Sequence, residues 1–198
     1  MFFPRTGRKG TNMKQFQEYA DTVIEELQQV FGCMTGESLE TFLKAIKNSK
    51  RVFLLGVGRE GLSTRAFTMR LMHLGKQAHW IWDDTTPGIQ QDDLLICTSG
   101  SGEIGHEIYI CQQAKQRGAR LALITAMDTG TIQKLSDLMV IIPAEAFHAK
   151  KNTVPTQQLM GNLFEQSVFI FFDIISMMLK DQMKITDFEM EHRHRNIE

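Results

Sequence analysis

Apolar side chains recur at Phe16, Tyr19, Ala20, Val23, Ile24, Leu27 and Val30. That is the 3.6-residue period of an amphipathic helix over residues 13–30. A second helix follows the turn at TGES, with Ser38 placed to cap it and Leu39, Phe42, Leu43 and Ile46 on its apolar face. The rhythm then changes. RVFLLGVG (residues 51–58) is a continuous apolar run of strand length that ends in glycine, and LSTRAFTMRLMHLG reads as a helix closing at Gly75. QAHWIWD is a second strand, and DDLLICTSGSG holds a third. EIGHEIYICQQAKQRG is a helix closing at Gly118, with basic residues in its last turns as the helix dipole favours. ARLALITA, TGTIQKLS and DLMVIIPA follow as strand, short helix and strand. Near-continuous apolar strands alternating with helices predict an α/β fold, a parallel sheet buried on both faces with right-handed crossovers.

Past Pro143 the chain turns polar over EAFHAKKNTVPTQQLM, a length that marks a functional or a disordered loop. The helix predicted over residues 161–182 is apolar on nearly every side, so it belongs in a core or a subunit interface. Its apolar stretch SVFIFFDIISMML is broken by Asp173 and reads as too short to span a bilayer. The tail TDFEMEHRHRNIE is polar and rich in histidine. Composition narrows the function classes. The 198 residues suit one domain, and a net charge of −1 with both signs interspersed is no nucleic-acid footprint. MFFPRTGRKG lacks the apolar core of a signal peptide, and residues 1–12 read as a flexible leader before a single domain over residues 13–198. Cys33, Cys97 and Cys111 are odd in number and widely spaced, which suits a reduced, cytoplasmic protein.

Two strands end in loops of small residues that lead into helices, GVGREG (residues 56–61) and TSGSGE (residues 98–103). Ligands of open parallel sheets bind beyond the carboxyl ends of the strands. Each loop can offer backbone N–H groups and a helix N-terminus to an anion. Ser99 and Ser101 add hydroxyls, while Gly100 and Gly102 let the backbone approach. The plain alternative is a strand–helix turn in which serine caps the helix. GVGREG also fits the dinucleotide fingerprint G-x-G-x-x-G, and Asp83 or Asp84 stands where a ribose-binding acid belongs. That reading leaves little chain for a substrate domain and ignores the second loop.

Together the motifs resemble the sugar isomerase (SIS) domain family, and within it the 6-phospho-3-hexuloisomerases of the ribulose monophosphate pathway. GVGREGLSTRAFTMRLMHLG is similar to the family's GAGRSG…AFAMRLMHLG, TSGSGE is shared, and LMGNLFEQ with the closing RHRNIE is similar to PMGxLFEQ and RHANLE. The resemblance implies a three-layer α/β/α sandwich with a five-stranded parallel sheet of flavodoxin-like order. It implies a phosphosugar held between the two loops by Gly58, Arg59, Ser99, Gly100, Ser101 and Gly102. It also implies a homo-oligomer, dimer or tetramer, that uses no NAD, metal or other cofactor. Moving a ketohexose carbonyl from C3 to C2 through a cis-enediol needs a base that takes and returns a carbon-bound proton. Glu165 matches the family's base, and His194 matches its terminal histidine, which reaches an active site that can belong to a neighbouring subunit.

Four positions depart from the pattern. Glu60 stands where the family has a phosphate-donating serine, Ile104 where it has a threonine, Asn162 for Ser or Thr, and Arg195 for Ala. A carboxylate facing a phosphate repels it, and each lost donor costs about 1–3 kcal/mol where the ligand is buried. Three readings remain: phosphate held by the other groups with Glu60 turned outward, a different sugar ligand, or a binding module without catalysis. His192 and His194 are two apart and so do not share a helix face for a metal. His106, in the helix after the second loop, reads as a surface residue.

Overall fold

A computed structural model describes residues 11–148 and 152–197. The chain runs α1 (Thr11–Gly32), α2 (Glu37–Asn48), β1 (Val52–Leu55), α3 (Gly58–His73), β2 (Ala78–Trp80), β3 (Leu94–Thr98), α4 (Gly105–Gln116), β4 (Arg120–Thr125), α5 (Thr131–Leu135), β5 (Leu138–Ile141), α6 (Asn162–Met183) and α7 (Asp187–Arg193). All strand pairs are parallel, in the order β2-β1-β3-β4-β5. Alternate strand residues feed two cores. Val52, Leu54, Ile96, Ala122, Ile124 and Val140 pack beneath α1, α2, α3 and α6. Phe53, Leu55, Leu95, Cys97, Leu121 and Leu123 pack with α4 and α5 on the other face. The chain steps from β1 to β2 in one direction and from β3 to β4 in the other, with α3 and α4 on opposite faces. Crossovers of one hand require that arrangement. The order reverses between β1 and β3, which opens a crevice at their carboxyl ends.

Several predicted boundaries shift for identifiable reasons. The second helix is capped by Gly36, not Ser38, and has no side-chain cap; Glu37 and Glu40 in its first turn complement the dipole instead. Helix α3 begins at Gly58, inside the glycine motif rather than after it. Gly61 is the reason this turn can be so tight. A Cβ there would lie 2.8 Å from the Gly56 carbonyl oxygen and 2.9 Å from its carbon, so the third glycine serves close helix–strand packing. Gly61→Ala is expected to destabilise the fold by about 1–3 kcal/mol through this backbone collision; a thermal melt matching the parent protein would refute it.

The last segment of the chain is not merely a polar tail. Thr186 and Glu189 form a reciprocal capping box that starts α7, and Arg193 Nη1 donates to the His73 carbonyl at 3.2 Å, docking α7 on α3. Helix α6, at 22 residues, is long and apolar enough to cross a membrane, contrary to the reading of its apolar stretch as too short. Leu163, Phe164, Val168, Phe171, Phe172, Ile175 and Leu179 are nevertheless buried in the domain core, and Phe67 stacks on Phe172 with ring centroids 4.3 Å apart. Its outer face leaves Phe169, Ile170, Ile174 and Met177 exposed, and α1 leaves Phe16, Tyr19 and Ile24 exposed. The amphipathic face read for α1 is therefore covered only toward its carboxyl end, where Val30 is buried. Of the leader read over residues 1–12, Thr11 and Asn12 already belong to α1; the rest lies outside the described residues.

Candidate active site

The two glycine loops stand at the carboxyl ends of β1 and β3, side by side at the point where strand order reverses. Gly58 takes φ +56° as the first residue of α3, and no side chain caps that helix start. With Gly56, Gly61, Trp80 and Trp82 it lines an open cavity of about 280 Å³. Trp82 Nε1 donates to the Gly56 carbonyl at 3.1 Å, bracing the loop. Asp83 lies in the turn after β2, 3.7 Å from Arg65.

In the second loop the serines serve the loop itself. Ser99 Oγ accepts from Gly102 N and Ser101 Oγ accepts from Glu103 N, each at 3.3 Å. Ser99, Gly100 and Gly102 are buried and Ser101 is half-buried. The loop is fastened to α5 from two sides. Glu103 accepts from Thr131 N at 2.7 Å and from its hydroxyl at 2.8 Å. Gln133 Nε2 donates to Ser101 O and to Thr125 Oγ1, each at 3.2 Å. Nothing in the sequence pattern singled out Gln133, a polar residue in a five-residue helix.

The Gly100 N–H of this loop meets the residue that breaks the family pattern. Gly100 N donates to both carboxyl oxygens of Glu60, at 3.2 and 3.4 Å. Glu60 is therefore turned inward, against the reading that it faces outward. Ala146 and Phe164 close over Gly100: a Cβ there would stand 2.9 Å from Ala146 Cβ and 3.3 Å from Phe164 Cε1. Burial pushes the Glu60 carboxyl up to about 8; the Gly100 N–H opposes the rise, and the charges of Glu107 and Glu165 add to it. Glu107 is fully buried, and burial raises it to about 7 against the opposing Ser99 hydroxyl. Neither of its oxygens has a partner in hydrogen-bonding geometry among the described residues. Its position was legible in principle, because Glu107 shares the buried stripe of Cys111 and Ala114. Ile104 is the N-cap of α4 and caps nothing with its side chain.

Glu165 sits in the first turn of α6. Gly161 makes that helix start possible: its φ is +86°, and a Cβ would lie 2.7 Å from Phe147 N. The preceding loop is anchored on α1, where the buried Glu26 accepts from Thr156 Oγ1 at 2.7 Å, Gln157 N at 2.9 Å and Gln158 Nε2 at 2.9 Å. The Glu165 side chain is only 16% exposed, and its Oε2 accepts from Arg59 Nε at 2.5 Å. Arg59, read from sequence as a holder of sugar or phosphate oxygens, is thus paired with the candidate base. The two line a cavity of about 340 Å³ with Leu62, Ser63, Gln166 and Phe169.

His194 is elsewhere. It closes α7 and stacks on His73, ring centroids 5.1 Å apart, at the opposite end of α3 from Arg59. That helix of 16 residues is about 24 Å long. Within one chain the structure does not bring His194 to Glu165. His192 lies beside Phe188, and no group of three His, Cys, Asp or Glu suited to a metal occurs among the described residues. His106 is exposed, as read from sequence, with its ring 6.0 Å from that of Trp82.

Comparison with known proteins places the fold. The SIS domain model matches residues 45–167. A Bacillus subtilis 3-hexulose-6-phosphate isomerase is 32% identical over 181 residues, covering 91% of this chain and 98% of its own. A Mycobacterium gastri 3-hexulose-6-phosphate isomerase is 35% identical, covering 89% of this chain and 88% of its own. A Methanococcus jannaschii protein, whose crystal structure infers a function of 3-hexulose-6-phosphate isomerase, superposes with a TM-score of 0.78 at 28% identity. That match covers 91% of this chain and 99% of that one.

Proposed function

Because the chain belongs to the SIS domain family, we propose that it is a phosphosugar isomerase that interconverts 3-hexulose 6-phosphate and fructose 6-phosphate without a cofactor. The observation that carries this reading is Glu165. It is a largely enclosed carboxylate, oriented by Arg59 at 2.5 Å, on a cavity that Arg59 of the first loop also lines. In this reaction Glu165 takes the proton from C2 of the 3-ketose and the C3 oxygen gains a proton, giving a 2,3-enediol. The same carboxyl returns its proton to C3 while the C2 oxygen gives one up. The carbon-bound protons and the hydroxyl protons then balance with no net oxidation.

His194 suits the transfer between the two oxygens, and its distance from Glu165 along α3 supports a second copy of the chain as the one that supplies it. The exposed apolar faces of α1 and α6 support such a homo-oligomer. The relatives named 3-hexulose-6-phosphate isomerase support the substrate, and the cavity lined by Gly56, Gly58, Gly61 and Arg65 supports a phosphosugar seated at the first loop.

Incubating the protein with fructose 6-phosphate in D₂O tests the reaction. Deuterium is expected at C3, with a 3-ketose signal appearing by NMR. Exchange at C1 alone would mean aldose–ketose chemistry, and no exchange with retained binding would mean a binding module.

A further inference from the structure

We propose that Glu60 is the specificity-determining residue of the phosphate cradle. Its carboxyl group holds the Gly100 N–H and, as a neutral acid, donates its O–H to the incoming phosphate, so that the phosphosugar binds the protonated form of the site. This inference rests on the phosphosugar reading and adds a residue that the family's motif does not supply.

The geometry leaves few other choices. Glu60 reaches across from α3 to the second loop and takes its Gly100 N–H with both oxygens. The groups facing it from the packed elements are mostly acidic: Glu107 from α4 and Glu165 from α6. Cys97 from β3 is a thiol held well above its ordinary range, first by its contact with Cys111. Arg59, next to Glu60 in the chain, is paired with Glu165. Glu107 is fully buried, neither of its oxygens has a partner in hydrogen-bonding geometry among the described residues, and it faces Ser99 of the same loop. A phosphate dianion added to this cluster would meet uncompensated negative charge. A proton on Glu60 removes one such charge and turns an acceptor into a donor, at the place where the family's motif carries a serine hydroxyl. Carboxylic acids kept neutral by their surroundings can donate hydrogen bonds at neutral pH. The rise of Glu60 to about 8 is consistent with that role.

The test is calorimetric titration of fructose 6-phosphate into the full-length protein between pH 7 and pH 9. The sugar phosphate is already a dianion there, its second pKa being about 6. With Glu60 titrating at about 8, affinity is expected to fall about tenfold across this window. Buffers of different ionisation enthalpy should report uptake of close to one proton per ligand at the alkaline end. Glu60→Gln keeps a neutral donor and is expected to bind with little pH dependence and no such uptake. Glu107→Gln should keep the fall. Equal pH profiles in the parent protein and Glu60→Gln would overturn the inference, as would a fall that disappears only in Glu107→Gln. Should neither the parent nor Glu60→Gln bind the sugar phosphate at any pH, the phosphosugar reading itself fails, and this inference with it. Deuterium exchange separates the cases further, since it reports the chemistry of Glu165 whether or not Glu60 carries the proton.

Discussion

Glu165→Gln is expected to lower kcat for isomerisation by about 10²- to 10⁴-fold, the range a positioned general base contributes, with KM for the sugar phosphate nearly unchanged. The amide keeps the shape of the carboxyl group and an oxygen that can still accept from Arg59 Nε, so the α3–α6 junction stays in place. What it loses is the ability to hold a proton between C2 and C3. Deuterium incorporation at C3 of fructose 6-phosphate should disappear in parallel with turnover, while the melting temperature stays close to that of the parent protein. Retention of more than about a tenth of kcat would move the base elsewhere, a loss far short of what a general base supplies. The candidates would then be Glu60 and Glu107, the two other carboxyls gathered at the second loop.

How far the sequence foretold this site differs from residue to residue. The sheet was legible because its strands are short apolar runs, and the two loops were legible because glycine and serine cluster at the ends of β1 and β3. Glu165 could be placed in the first turn of a helix by pattern alone, although its role needed the family motif. Glu60 was visible as a discord, but not its direction, because an i, i+3 pattern cannot say which loop a helix-start side chain will reach. Gln133 and Glu107 were missed for a different reason. Their importance comes from long-range packing, Gln133 across 32 residues to Ser101 and Glu107 beneath the Ser99 hydroxyl. Ser38 failed as a cap because Gly36 ended the turn two residues sooner. The carboxyl-terminal helix was passed over although Thr186 and Glu189 spell a capping box, since it is only seven residues long and carries no buried face.

The clustered carboxyls also set how stability responds to pH. An acid whose folded-state pKa lies above its unfolded value binds more protons folded than unfolded, so folding weakens as pH rises between the two values. For Glu107 the window runs from the ordinary carboxyl value of 4.5 to about 7, and for Glu60 from 4.5 to about 8. Other groups oppose this outside a narrower range. His73 and His79 are held below their ordinary value, first by burial, so they favour folding as pH rises toward 6.5. Glu26 and Asp137 end below theirs because hydrogen bonds outweigh burial, and their contribution is lost in acid. Between pH 6.5 and pH 8 the carboxyl pair therefore dominates, and unfolding free energy is expected to drop by about 2 kcal/mol, at ~1.4 kcal/mol per pKa unit. Denaturant melts across that window are the measurement. Glu107→Gln and Glu60→Gln should each flatten the decline, and the double variant should abolish it. Because the charge on Glu107 contributes to the rise of Glu60, the two single variants are expected to sum to more than the double. A decline of undiminished slope in the double variant would mean that neither carboxyl is neutral in the folded protein. Glu60 would then meet a phosphate as an anion.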